Sequence, residues 1–198
     1  MTQIDDPRHI LQSQEPLLVF CNQSDLISEV IDWRTDIKNF LPWDHAMLSI
    51  NQGRLVTQTM GIINAYRDIP MSEYMTKGTT LGFVQLVNSS PDFISAFNKS
   101  VQKRLTSPWW VTQYDYLGIF GQAIGVPWIH TPGLEYCSVD VLRHLVNACP
   151  YLPKEDQLVI NAIPREINPE ALWQIILTNP KTFFVYGIYD YSTGVVVS

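Results

Sequence analysis

Basic residues are scarce in this chain. Thirteen Lys and Arg stand against nineteen Asp and Glu, for a formal net charge of −6 over 198 residues. A nucleic-acid footprint needs clustered cations, and the composition supplies no such cluster. The only basic pair, Lys103-Arg104, falls at the end of a predicted helix, where it answers the helix dipole. Long apolar runs are also missing. None reaches the roughly 18 residues that a membrane-spanning helix needs. The opening "MTQIDDPRHILQSQE" has neither the basic start nor the apolar stretch of a signal peptide. A cytoplasmic or virion-associated location is the expectation. Cysteine is sparse: positions 21, 137 and 149 form an odd set without CxxC spacing. Such a set suits free thiols in a reducing compartment. Neither a metal nor another cofactor is expected.

Apolar residues are plentiful, at 46% against 16% charged. That is enough for a full core and too apolar for a disordered chain. The length fits one domain over 1–198, with 1–15 as a polar N-terminal extension. Six Trp and nine Tyr predict a large aromatic core.

"PLLVFC" (16–21) reads as a buried strand, and "SDLISEVIDWRTD" (24–36) as a helix capped by Ser24. Strands over 43–50 and 54–60 flank the turn residues Asn51-Gln52-Gly53, and 61–69 continues the meander. A strand over 82–87 precedes a helix over 90–105, which has Pro91 at its first position. A short helix over 113–125 closes at Gly125. The helix that starts at Cys137 places Val139, Leu142, Val146 and Cys149 on one stripe, with Leu145 and Val141 beside it, and Pro150 stops it. Asn168 caps a helix over 168–179, and strands over 182–190 and 193–198 close the chain. Strands that adjoin in hairpins, mixed with helices, predict an α+β fold with an antiparallel sheet and packed helices.

Cys137 is the thiol with chemical promise. The orphan N–H groups and macrodipole at a helix start favour a thiolate, and the same N–H groups can steady an oxyanion. Cys149 lies at the other end of that helix, and Cys21 ends an apolar strand; both are expected as packed small hydrophobes. Four histidines compete as base. His144 shares the helix with Cys137, but seven residues put it about 10 Å along the axis. It is expected at the surface near the helix end. His9 lies in a polar tail. His130, in "PWIHTPG", and His45, which opens a strand, both remain candidates. A rigid strand is a good platform for an imidazole that must meet a thiol. A three-residue turn at 51–53 would pair Ile50 with Arg54. His45, Met47 and Ser49 would then share a face with Leu55, Thr57 and Thr59. Geometry thus offers Thr57 as the group that orients His45, while chemistry prefers the amide of Gln58.

"SDLISEVIDWRTDIKNFLPWDHAMLSINQGRLVTQTMG" resembles the N-terminal signature of the permuted NlpC/P60, or YiiX-like, papain-fold hydrolases. "YDYLGIFGQAIG" followed by "EYCSVDVLRHL" resembles the later segment that leads into the nucleophile helix, and "INPEALWQI" the short helix after it. The order, histidine before cysteine, is the permuted one. The resemblance implies a circularly permuted papain-like fold, with Cys137 as nucleophile and His45 as general base. The third residue falls twelve after the histidine, on Thr57, where the family more often has Glu or His. Tyr114 and Ser138 become substrate or oxyanion candidates. The usual acidic residue after the Cys-Ser pair is displaced to Asp140.

The implied function is a cysteine peptidase or amidase that acts through a Cys137 acyl-enzyme on a peptide, peptidoglycan or acyl substrate. A phage-encoded member is one form this takes. Thr57 leaves a second expectation: a catalytically weakened member that serves as a binding or phage structural protein. A third is a lipid acyl hydrolase or acyltransferase.

Overall fold

The computed structural model describes residues 15–23, 43–51, 54–58, 66–76, 78–108, 110, 112, 115, 137–191 and 195–197. Among them, seven strands form one sheet: β1 (Leu17–Gln23), β2 (His45–Asn51), β3 (Arg54–Gln58), β4 (Tyr66–Pro70), β5 (Thr79–Leu86), β6 (Phe183–Asp190) and β7 (Val195–Val197). Their spatial order is β4-β3-β2-β1-β5-β6-β7, and each neighbouring pair is antiparallel. Four helices accompany them among the described residues: α1 (Pro91–Leu105), α2 (Cys137–Ala148), α3 (Lys154–Ala162) and α4 (Pro169–Thr178). The class is α+β with an antiparallel sheet, as the hairpin-linked strands predict. The helices expected over 24–36 and 113–125 lie outside the described residues.

Local chemistry explains the helix starts. Ser90 Oγ accepts from the Phe93 N–H at 3.1 Å, with Pro91 at the first helical position of α1. Asn168 caps α4 in the same way, accepting from the Ala171 N–H at 2.7 Å ahead of Pro169. Both satisfy amides that have no partner inside the helix. The sequence pattern does not predict α3, because its apolar and polar positions are exchanged. Leu158 is 73% exposed, while Asp156 is buried. The Asp156 carboxylate accepts from Thr182 Oγ1 at 2.7 Å and Asn88 Nδ2 at 2.9 Å, so it anchors the helix from inside.

The sheet is covered differently on its two faces. On one, Leu18, Phe20, Ala46, Leu48 and Val84 join Phe97 of α1, Leu145 of α2, Ile160 of α3 and Trp173 of α4 in the main core. On the other, Leu17, Val19, Cys21, Met47, Leu55, Leu81 and Phe83 form a smaller cluster with Met71, which sits in a 3-10 turn at Met71–Glu73. The period-2 alternation of the strands sorts these residues. The expected stripe on α2 is rotated. Val141, Leu142, Leu145 and Ala148 are buried together with Asp140 and His144, while Val139 and Val146 are only partly covered. Two buried polar side chains occupy positions that a purely apolar stripe would have filled.

Aromatic packing holds the start of β2. Trp173 lies 4.8 Å from Trp43 and 5.0 Å from Phe20 between ring centroids. Glu170, in the first turn of α4, accepts the backbone N–H of Trp43 at 3.2 Å, two residues before His45. These rings close over Gly82. A Cβ there would stand 2.9 Å from Trp43 Cη2 and 3.0 Å from Trp173 Cη2, so only hydrogen fits without movement. Gly82→Ala is expected to destabilise the protein by about 1–3 kcal/mol through overpacking. Urea denaturation should show a lower midpoint at an unchanged slope.

Candidate active site

Sheet register brings His45 and Thr57 together. Cys21 of β1 stands opposite His45 of β2. In the next pair, Leu48 faces Val56, the register that the hairpin reading predicts. At the turn, however, Asn51 pairs with Arg54 rather than Ile50. An irregularity between Leu48 and Asn51 absorbs the extra residue, as a bulge does. Beyond it the expected face survives, with Met47 and Leu55 in one cluster. His45 Nε2 and Thr57 Oγ1 are 2.5 Å apart. Thr57 is buried, at 1% exposure. Between the two candidates for the orienting group, the described contact belongs to Thr57. Gln58 pairs with Tyr66 and Thr57 with Arg67 in unbroken succession, so no bulge separates them; the Gln58 side chain lies outside the described residues.

Tyr74, which the sequence does not single out, completes this cluster. Its ring stacks on the His45 imidazole at 6.3 Å between centroids and 14° between planes. The Tyr74 phenol is pushed up from an ordinary 10.0 to about 12. Burial is the largest cause, followed by the charge of Cys21; the Thr57 hydrogen bond pulls the other way, and the charges of Cys137 and Glu73 add to the rise. The phenol therefore stays neutral at physiological pH. It also lies within the electrostatic reach of both thiols. Tyr74 sits in an irregular turn after the 3-10 segment, without periodicity to mark it.

Cys137 is the first residue of α2 and is 3% exposed. It comes from the helical layer, whereas His45 shares the opposite face with Cys21 and Met47. Tyr74 stacks on the imidazole from that face. Ser138 departs from expectation. It is fully buried, and its hydroxyl donates to the Ile167 backbone carbonyl, so it ties α2 to the approach to α4 instead of addressing a substrate. Tyr114, His130 and His9 lie outside the described residues. Cys21 and Cys149 are buried free thiols, in keeping with a packing role. Burial pushes the Cys149 thiol up. Among the described residues, no three His, Cys, Asp or Glu side chains gather as a metal-binding group.

His144 is not at the surface. It is 1% exposed, with Nε2 3.0 Å from Tyr66 Oη and Nδ1 2.8 Å from Ser100 Oγ. Asp140 Oδ2 lies 3.4 Å from the same Nε2, one helical turn away. Arg104 likewise turns inward rather than answering the dipole of α1. Its Nε is 3.2 Å from Asp140 Oδ1, and its guanidinium lies 5.8 Å from the Tyr66 ring centroid. Sequence spacing along α1 and α2 does not reveal that these side chains meet.

Compared with known proteins, the chain matches no protein-family model, and no curated protein matches its sequence.

Burial alone would raise the Asp140 carboxyl, but the hydrogen bond and charge of His144, the Arg104 charge and a Tyr66 hydrogen bond hold it below the ordinary value of 3.8. A depressed folded pKa adds stability above the unfolded value and loses it as pH falls through the folded one. Asp140→Asn is expected to cost about 3–5 kcal/mol at neutral pH, because it removes the carboxylate that faces a buried guanidinium and imidazole. The loss should shrink progressively in acid unfolding scans below the ordinary value of 3.8. A mutant with the same deficit at every pH would refute this role for the pair.

Proposed function

We propose that the protein is a cysteine hydrolase with a circularly permuted papain-like, NlpC/P60-type fold. His45 removes the proton from Cys137, and the thiolate attacks an amide or ester carbonyl. The leaving amine or alcohol departs with that proton. Water, deprotonated by His45, then releases the acid and restores the thiol. The observation that carries this reading is the 2.5 Å contact between His45 Nε2 and Thr57 Oγ1. Thr57 is the position at which the resemblance puts the orienting residue, twelve after the histidine. A bond on Nε2 assigns the base role to Nδ1. Further support comes from the place of Cys137 at the start of a 12-residue helix, and from Tyr74, whose ring stacks on the His45 imidazole. The substrate class is a peptide, including peptidoglycan stem peptides, or another acyl donor.

Two observations favour the second reading, a weakened member that binds rather than turns over. Thr57 brings no charge to steady an imidazolium, and Cys137 is only 3% exposed.

Intact-mass and peptide mapping after a brief exposure to an electrophilic thiol probe test the main reading. Cys137 should label faster than Cys21, Cys149 and free cysteine. His45→Ala should slow that labelling by about 10²–10⁴-fold, the usual scale of base assistance. A Cys137 that labels no faster than free cysteine, with or without His45, supports the binding protein instead. A screen of peptidoglycan fragments with wild type and Cys137→Ala should then show product only with the wild type.

A further inference from the structure

We propose that the turn from Ile167 to Glu170, at the start of α4, is a bridge that fixes the spacing between Cys137 and His45, with Ser138 and Glu170 as its two positioning residues. The functional meaning of this inference rests on the hydrolase reading. The mechanical linkage does not.

Two buried hydrogen bonds reach this turn from opposite halves of the site. Ser138 follows Cys137 directly, and its hydroxyl donates to the Ile167 carbonyl. Trp43 precedes His45 by two residues, and its backbone N–H donates to Glu170 Oε2 at 3.2 Å. Only Asn168 and Pro169 separate the two acceptors in sequence. The first bond ties the start of α2 to the approach to α4. The second ties α4 to the entry of the strand that carries the imidazole. In each, a side chain supplies one partner, so neither bond belongs to a helix or sheet ladder. They join elements that the ladders leave independent.

The bridge is stiff. Pro169 fixes its own φ, and Asn168 accepts from the Ala171 N–H at 2.7 Å, which sets the shape of the turn. The Glu170 carboxylate is held at both oxygens, because Oε1 accepts from Gln174 Nε2 at 2.8 Å one helical turn on. Its charge also suits the first turn of α4. Trp173 of the same helix packs 4.8 Å from Trp43, so α4 grips that residue by its ring as well as its N–H. On the far side, the Asp44 N–H donates to the Cys21 carbonyl at 3.2 Å and locks the last residue before His45 to β1. Ser138, Ile167 and Glu170 are all buried, and hydrogen bonds gain strength in such a setting. Proton transfer needs heavy atoms within about 2.6–3.2 Å of each other. A shift of about 1 Å transmitted from a distance costs on the order of 10²-fold in rate.

Thiol-probe labelling of Cys137 and hydrogen exchange at the Trp43 amide, both measured well below the melting temperature, test the bridge together. Ser138→Ala and Glu170→Ala should each slow labelling at neutral pH by about tenfold or more. Each should also move the pH profile of labelling upward, toward that of free cysteine. Glu170→Gln keeps an acceptor for the Trp43 N–H and should recover most of the loss. Either lesion breaks the same bridge, so Ser138→Ala/Glu170→Ala should label little more slowly than the slower single variant, whereas independent lesions multiply. Asp156→Ala, which loosens α3 away from this turn, should lower stability and leave the profile in place. Ser138→Ala does not touch Trp43, yet it should speed Trp43 exchange more than Asp156→Ala does at an equal loss of stability. If Ser138→Ala or Glu170→Ala does not fold, Gln174→Met frees one carboxylate oxygen and should change both readouts in the same direction by less. A Trp43 amide no faster in Ser138→Ala than in Asp156→Ala, or unmoved in Gln174→Met where that variant stands in, overturns the bridge. Given wild-type labelling that depends on His45, folded single variants that label like the wild type overturn its spacing role, as does a double variant whose loss is the product of the two. Wild-type labelling that is insensitive to His45→Ala overturns the hydrolase reading, and Trp43 exchange then judges the linkage alone.

Discussion

The antiparallel pairing that sets Cys21 opposite His45 is the constraint from which the site follows. β1 lies inside the sheet, with β2 on one side and β5 on the other. Its own alternation is strict: Leu18 and Phe20 go to the helical core, while Leu17, Val19 and Cys21 go to the smaller cluster. Because side chains alternate with period 2, a slip of one residue between β1 and β2 would turn His45 toward the helices and bring Ala46 into its place. The apolar residues that prevent the slip, Met47 on one face and Leu48 on the other, follow the imidazole by two and three positions. The position of His45 is therefore a by-product of core packing, and Thr57 is placed by the same logic on β3.

The two layers hold imidazoles of contrasting character. His144 is enclosed, with a tyrosine hydroxyl on one nitrogen, a serine hydroxyl on the other, and a carboxylate near by. Arg104 draws that carboxylate from the α1 side, so α1, α2 and β4 are joined at one buried point. Such a group is committed to architecture. His45 stands at the first residue of a strand, partly open, with an uncharged hydroxyl and a stacked phenol as described partners. The contrast sets a histidine committed to packing on the same helix as Cys137 apart from a partly open one on the sheet.

Much of the frame was legible in the chain. Pro91 and Asn168 announce their helices because a first-turn proline and a cap act within a few residues. The shared face of His45 and Thr57 was legible because a hairpin converts spacing into adjacency, even though the turn itself pairs Asn51 with Arg54. Contacts made through space between remote segments were not. Tyr74 reaches His45 from a turn with no pattern. Glu170 grips the backbone of Trp43 across 127 positions of sequence. Arg104 and Asp140 each look like surface residues of their own helix until the two helices meet. The α3 helix escaped for a related reason: its carboxylate is inside and a leucine is outside, so hydrophobic periodicity points the wrong way.

The histidine hairpin and the cysteine helix also differ in when they come into being. His45 and Thr57 are separated by twelve positions, so their contact can close as soon as one hairpin has left the ribosome. The sulfur belongs to a segment made much later, after β5 and α1. A chain emerging from its N-terminus thus assembles the His45–Thr57 contact before Cys137 has been translated.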